Sequence, residues 1–477
     1  MSTSPVLTRE GSHPSDDTQH KLSPVCGQCH IRFPRLLGLF HCWRRATLNV
    51  ICHHCDTAHL VVEGIGVTDT ISDSSLDEFR ARAADWLATK AHQHGWLRTP
   101  DGSRRRVGAG DHEAVERNQE CQRLLFEGGF AGINWPTEYG GQGLGLREQI
   151  IFNEESRKYD LPLVVFIIGL GMCGPTILAA GTDEQKRRYL EPMLRGEEIW
   201  CQLFSEPGAG SDVAGLTSRA VLDGDEWVLN GQKVWTSGAH HCQFGIVLAR
   251  TDSSVPKHKG LTMFILDLRT AGVSLRPIRQ IDGGEHFNEV YFDNVRIPAD
   301  QVLGGVGNGW QTATTTLMNE RVSLGAVRPL DDVHSTQALI ALAAEKGLTG
   351  DTSIRRQLAD LWMRETVVGL LGQRITASIM QGKQPGPEGS VAKLVRTDFS
   401  NKSAEFGFAL AGAGAAAWPA EAPTGDSFAN TLLFVPSLSV AGGTDEVLKN
   451  IIGERVLGLP KEPQVDRDIP FRDLKGR

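Results

Sequence analysis

Apolar residues recur at helical spacing from Leu76 onward. Leu76, Phe79, Ala83 and Trp86 mark one side of a segment that follows Ser74 and Ser75, and either serine can cap its N-terminus. Leu161–Gly181 runs 21 residues without a charge, which by length alone would suit a membrane span. Pro162, Pro175 and four glycines interrupt the run, so the expectation is two buried helices meeting at Gly174–Pro175, with no membrane span. Thr182 then caps a further helix over Asp183–Leu190. Beyond Cys201 the period changes. Glu226–Leu229, Phe244–Ala249 and Val290–Pro298 read as strands, and Asp223–Gly224 and Asn230–Gly231 as hairpin turns. Helix resumes at Gly309–Gln311 and continues, with breaks, to Leu457. The order is helical, then antiparallel β, then helical.

Bulk properties narrow the class. A chain of 477 residues is too long for one simple core, so two to three domains are expected. A net charge of −8 argues against a nucleic-acid binder. The first 22 residues are polar, so a cytoplasmic location is the default expectation. Gly169, Gly171 and Gly174 match the dinucleotide pattern G-x-G-x-x-G, but Pro175 follows at once and no strand–helix–strand rhythm surrounds them; nicotinamide binding is rejected.

The most informative stretch is Cys201–Arg250. It holds a Ser-Glu-Pro-Gly-Ala-Gly-Ser-Asp loop at Ser205–Asp212 and a Lys-Val-Trp-Thr-Ser string at Lys233–Ser237. Glycines at 208 and 210 let backbone approach a ligand closely, and the N–H groups of such a turn can hold an electron-rich oxygen or phosphate. These strings resemble the flavin-binding middle domain of the acyl-CoA dehydrogenases. The Trp135-Pro-Thr-Glu-Tyr139-Gly-Gly block resembles a loop of that family's N-terminal helical domain. The resemblance covers roughly residues 73–462 and implies an α+β multidomain fold: an N-terminal α-helical domain (71–198), a middle antiparallel β-barrel domain (199–304) and a C-terminal four-helix bundle (305–462), with a tail at 463–477.

The resemblance also implies roles. FAD would lie against Gln202, Leu203, Phe204, Ser205, Gly210 and Ser211, with Ser205 on the pyrimidine side of the ring. Trp235 would pack on the flavin, Thr236 would line it, and Ser237 would donate to flavin N5. Thr444 and Glu446 would contact the flavin from the last helical region, and Ser211, Arg321, Gly442 and Gly443 would contact the acyl-CoA substrate. The reaction removes an α-proton from a thioester, a weak acid that needs a positioned carboxylate. Many members carry it as Glu-Gly-Thr; here that position is Gly442. A subset that includes isovaleryl-CoA and long-chain dehydrogenases carries it beside an arginine, and Glu320, next to Arg321, falls there. Electrons would pass to an electron-transfer flavoprotein. The Arg-x-Phe-Gly string that reaches a neighbouring subunit's flavin is absent from residues 335–375, so a homotetramer and a heterotetramer with a related chain both stay open. So do two other functions on the same fold: a non-catalytic partner subunit and a flavin-dependent monooxygenase.

The front 70 residues stand outside the resemblance. Five of the nine cysteines fall in the first 55 positions, and Cys26, Cys29, Cys52 and Cys55 form two C-x-x-C pairs. Thiolates so spaced can close a tetrahedral zinc site. The other reading is an extension without metal, because the segment shows little helical or strand periodicity.

Overall fold

The computed structural model describes residues 48–52, 55–60, 74–97, 111–326, 334–381, 386–417 and 427–474. The chain divides into two units, Met1–Ile71 and Ser72–Arg477. In the first, β1 (Leu48–Cys52) pairs antiparallel with β2 (Cys55–Leu60), with Leu48 opposite Leu60 and Cys52 opposite Cys55. No strand was expected there; Val50, Ile51 and Thr57 supply the β-branched residues that favour one. The proposed zinc ligands Cys26 and Cys29, and the side chains of Cys52 and Cys55, lie outside the described residues. Among the described residues no group of three or more His, Cys, Asp or Glu could hold a metal ion.

The second unit opens with helices α1 (Ser74–His94), α2 (His112–Glu127), α3 (Leu146–Ser156), α4 (Gly174–Ala180) and α5 (Asp183–Leu194). In α1 the buried stripe is Phe79, Ala83, Leu87 and Ala91, a strict i, i+4 row; Trp86 is only partly buried, against the ring of Phe130. The apolar run at 161–181 differs from expectation. It does not hold two helices meeting at Gly174–Pro175. Helical backbone runs on from Val164 to Ala180 through a π turn at Gly169–Cys173, in which the Gly174 N–H donates to the Gly169 carbonyl. The wider turn accommodates the missing N–H of Pro175. Gly174 is there for close packing, since a Cβ on it would stand 2.2 Å from the ring of Trp135. The G-x-G-x-x-G match therefore lies inside a helix. Among the described residues no helix is long and apolar enough to cross a membrane.

The middle strands are β3 (Trp200–Leu203), β4 (Arg219–Asp223), β5 (Glu226–Ser237), β6 (Phe244–Arg250), β7 (Leu261–Asp267), β8 (Val273–Ile278), β9 (Phe287–Pro298) and β10 (Val302–Leu303). They form one eight-stranded sheet in the order β10-β7-β6-β4-β5-β9-β8, with β3 added on β6. Two details correct the expectation of an antiparallel barrel. The end strands β10 and β8 are not paired with each other, and β3 and β4 run parallel to β6. Between β3 and β6 the chain makes the β4–β5 hairpin excursion, which is the crossover that a parallel pair requires. Strand β6 is buried on both faces: Phe244, Ile246 and Leu248 join the core shared with the N-terminal helices, and Val247 and Ala249 join the core on the other face with Leu203, Trp227 and Phe264. The Asp223–Gly224 turn is a hairpin, as expected. Asn230–Gly231 is not. β5 runs straight through it with a bulge against β9, and Gly231 sits at φ +146 where a Cβ would meet the Ser218 hydroxyl at 2.2 Å.

The C-terminal part is helical: α6 (Gly309–Ala326), α7 (Thr336–Glu345), α8 (Thr352–Met380), α9 (Glu388–Ala411), α10 (Ala413–Ala416), α11 (Ser427–Phe434) and α12 (Asp445–Ile451). Leu339, Leu358, Leu361, Phe399, Phe406 and Leu410 make its core. Helix α6 packs on β7 and on α9, and so ties this part to the sheet.

One ion pair lies wholly inside the sheet region. Lys233 is fully buried, and its Nζ donates to Glu206 Oε1 at 2.9 Å and to the Phe204 carbonyl at 3.0 Å. Glu206 also accepts from the backbone N–H of Thr217 at 2.7 Å and of Ser218 at 2.9 Å. Burial alone would raise the Glu206 pKa, but the Lys233 charge and these donors outweigh it and hold the carboxyl at about 2. Burial pulls Lys233 downward, against the same partner. The geometry is that of an ion pair: an ammonium donates to a carboxylate that also accepts two backbone N–H groups.

Two stability predictions follow from burial. Lys233→Met leaves an uncompensated buried carboxylate and is expected to cost about 3–5 kcal/mol in denaturant unfolding, part of which the Lys233→Met/Glu206→Gln double variant recovers. A single-variant loss under about 1 kcal/mol would contradict an ionised pair. The second concerns His334, buried against Phe428, neither of whose ring nitrogens finds a partner among the described residues. Burial holds its pKa at about 4, below the usual 6.5. The folded state thus keeps His334 neutral while the unfolded chain binds a proton below pH 6.5. Its contribution is complete above pH 6.5 and is lost as pH falls toward about 4, at about 1.4 kcal/mol per unit. Relative to His334→Phe, wild type should lose stability over that window; parallel pH profiles would refute it.

Candidate active site

The two strings singled out from the sequence meet in the fold. The Ser205 carbonyl accepts from the Val234 N–H at 2.9 Å, so the 205–212 loop is bonded to β5 immediately before Trp235. Gln202 and Leu203 end β3, and Phe204 and Ser205 carry the chain into the loop; Gly210 and Ser211 are exposed at its tip. The Glu206–Lys233 pair lies beneath this junction.

Trp235 stands at a second bulge. The β5–β9 register shifts between Lys233 and Thr236, and Trp235 takes a left-handed backbone, φ +60, rare for a bulky residue. The bulge turns the indole outward: it is 59% exposed, with the Phe287 ring edge-on to it at a centroid separation of 5.9 Å. A large, exposed indole held on strained backbone is a binding surface in form, because strain of this kind persists only where surrounding structure enforces it. The enforcing residue is Asn288. Fully buried on β9, it donates to the Thr236 carbonyl at 3.0 Å, while its Oδ1 faces His240 Nδ1 at 2.9 Å. That orientation assigns the proton to His240 Nδ1. Thr236 is buried, and its hydroxyl finds no hydrogen-bond partner among the described residues; Ser237 is half-buried.

These features fit a flavin. The indole offers a flat apolar face, and the half-buried Ser237 lies two residues further along the strand. A Cβ added at Gly208 or Gly210 would meet no atom within 4 Å, which leaves open space over the loop's backbone.

The remaining expected residues lie on the helical part. Glu320 is half-buried on α6, one turn beyond Thr316, whose hydroxyl bonds Thr176 of α4 at 3.0 Å. The side chain of Arg321 lies outside the described residues. Thr444 caps α12 by accepting from the Val447 N–H at 3.2 Å, and Glu446 is exposed in its first turn. Lys393 of α9 fixes the turn before it, donating to the Gly443 carbonyl at 3.0 Å and to Asp445 at 3.3 Å. Asp445 thus anchors the Gly442–Gly443 turn. Helix α6 and this turn both pack on α9, which is the element that relates Glu320 to Gly442 and Gly443.

Sequence reasoning assigned nothing to Glu206, Lys233, Asn288 or Lys393. Glu206 and Lys233 lie inside the two strings it quoted, but both strings are rich in polar residues, so neither charge stands out as buried.

Comparison with known proteins agrees with this arrangement. The family models for the N-terminal, middle and C-terminal domains of acyl-CoA dehydrogenase match residues 104–197, 201–295 and 307–457. The chain is 38% identical over 392 residues to acyl-CoA dehydrogenase IpdE1 of Mycobacterium tuberculosis, covering 81% of this chain and 98% of that protein. Among solved structures, the Tcur3481–Tcur3483 steroid ACAD is similar at TM-score 0.69 and 30% identity, over 83% of this chain and all of that one. The ChsE4–ChsE5 complex of Mycobacterium tuberculosis is similar at TM-score 0.65 and 27% identity, over 83% of this chain and 100% of that one. The three matched domains follow one another along most of the chain: the chain belongs to the acyl-CoA dehydrogenase family, which implies FAD as its cofactor.

Proposed function

We propose that this chain oxidises the α,β bond of an acyl-CoA thioester, with Glu320 as the α-proton base and an electron-transfer flavoprotein as the electron acceptor. The observation that carries the reading is the junction of the 205–212 loop with the outward Trp235 at the β5 bulge. FAD held there supplies the acceptor for the β-hydride.

Within that frame the chain's own residues have separable tasks. Gln202, Leu203, Phe204, Ser205, Gly210 and Ser211 contact the cofactor from the loop side, and Trp235, Thr236 and Ser237 from the strand side. Of the two hydroxyls after Trp235, that of the half-buried Ser237 lies nearer the surface, while that of Thr236 is buried. Thr444 and Glu446 contact the flavin from the start of α12, and Arg321 and Ser211 hold the substrate. A backbone N–H of the Gly442–Gly443 turn donates to the thioester carbonyl as enolate-like charge develops, in an orientation that Lys393 fixes beforehand. Glu320 takes the α-proton. Gly442 cannot, and Asp445 is engaged with Lys393.

Two further points belong to this reading. A bulky, ring-bearing acyl group is the substrate class we favour, because the Tcur3481–Tcur3483 steroid ACAD is similar over most of the chain. Assembly with a second chain of the same fold is supported by the two-chain names of Tcur3481–Tcur3483 and the ChsE4–ChsE5 complex and by an exposed apolar row on α8, Trp362, Met363, Val367 and Leu370, at helical spacing.

The test is Glu320→Gln. It should retain FAD and bind acyl-CoA, yet reduce its flavin under anaerobic mixing at least roughly a hundredfold more slowly than wild type, the scale of a lost general base. Near-normal reduction would remove Glu320 from the role and favour a base supplied by a partner chain.

A further inference from the structure

The family match ends at residue 457, but the described chain continues to Leu474 and folds back on the sheet. There the Phe471 N–H donates to the Val255 carbonyl at 2.9 Å, and the Arg472 N–H to the Ser253 carbonyl at 3.0 Å. Pro470 forms an antiparallel bridge with Pro256. The neighbouring stretch is largely solvent-facing, so an apolar core does not hold this segment in place; Val465 is 92% exposed.

What Phe471 touches gives the segment a purpose. Its ring lies 3.4 Å from the guanidinium carbon of Arg250, a residue only 4% exposed at the end of β6. Arg250 donates to the Ala214 carbonyl at 2.6 Å and to the Leu216 carbonyl at 3.2 Å. Those carbonyls belong to the turn that closes the 205–212 loop, next to the Thr217 and Ser218 amides that bind Glu206. A second tie runs in parallel. Lys257 pairs with Asp212 of the loop at 3.1 Å and with Asp466 of the tail at 3.5 Å. The guanidinium's planar face needs an apolar or aromatic cover to stay dry, and its hydrogen bonds strengthen as water is excluded.

We propose that residues 466–474 form a strap that sets the shape of the cofactor-receiving loop, with Phe471 and Asp466 as positioning residues acting through Arg250 and Lys257. The ligand named here rests on the flavin reading above; the strap itself does not. Phe471 keeps Arg250 dry and aligned, Arg250 fixes the carbonyls of Ala214 and Leu216, and the loop is thereby held ready for a phosphate or flavin ring.

The experiment compares full-length wild type, Phe471→Ala and Phe471→Tyr by hydrogen exchange at residues 214–218, with α8 as an internal control, and by FAD titration. In Phe471→Ala, exchange at 214–218 should rise about tenfold and FAD affinity fall by a similar factor, the scale of a desolvated cation–π contact, while α8 is unchanged. Phe471→Tyr keeps a ring over Arg250 and should behave as wild type. If Phe471→Ala does not fold, Phe471→Leu, which keeps bulk without the ring, takes its place. Exchange that is unchanged at 214–218, or that rises equally in α8, would overturn the strap. A wild type that takes up no FAD while the exchange difference persists would overturn the flavin reading and leave the strap standing.

Discussion

A lysine ammonium with no exposure to water, bonded to a carboxylate nearly as buried, is the constraint around which the centre of this protein is arranged. Neither charge is tolerable alone at that depth, so the loop that carries Glu206 and the strand that carries Lys233 must arrive together. Once they do, the Phe204 carbonyl and the Thr217 and Ser218 amides are placed as well, because they complete the hydrogen bonds of the pair. The glycines of the loop can then stay open to a ligand, since the loop is held from below by the pair as well as by the two backbone bonds between Glu206 and Ala209.

The same economy governs the strand. Thr236, one residue past the strained Trp235, is held at its carbonyl by Asn288, itself oriented by His240. The strain serves an exposed surface and is enforced by buried polar groups, an arrangement expected at binding sites rather than in cores. The helical part contributes at longer range. Helix α9 is the common support of α6, which bears Glu320, and of the turn before α12, which Lys393 anchors. In the proposed reaction, proton abstraction and carbonyl stabilisation fall to elements that share α9 as a neighbour.

Much of this was legible in the sequence, and the parts that were not have physical causes. The helix–sheet–helix order, the strand at Phe244–Ala249 and the hairpin at Asp223–Gly224 follow from local periodicity and turn chemistry, and the structure contains them. Asn230–Gly231 carries the same turn signal yet is a bulge, because pairing with β9 on both sides outweighs local preference. Pro175 suggested a break that a π turn absorbs, since the glycine beside it is committed to packing under Trp135. The parallel pairings of β3 and β4 with β6 depend on contacts distant in sequence, which periodicity does not report. The residues proposed to face the flavin come from the resemblance. The groups that hold them, Glu206, Lys233 and Asn288, do not, because a buried polar residue looks like a surface one until its partner is known. Arg250 and Phe471 are more than two hundred positions apart, and no local signal links them.

The central claim is that the loop and the β5 bulge together seat a flavin that oxidises an acyl-CoA. It is tested most directly by anaerobic titration of the purified protein with saturated acyl-CoA thioesters, ring-bearing ones included, while flavin absorbance is followed without added reductant. The account predicts that bound flavin bleaches in proportion to the thioester added and that the α,β-unsaturated acyl-CoA forms in equal amount. Flavin that stays oxidised with every thioester and bleaches only when a nicotinamide reductant is supplied would contradict it.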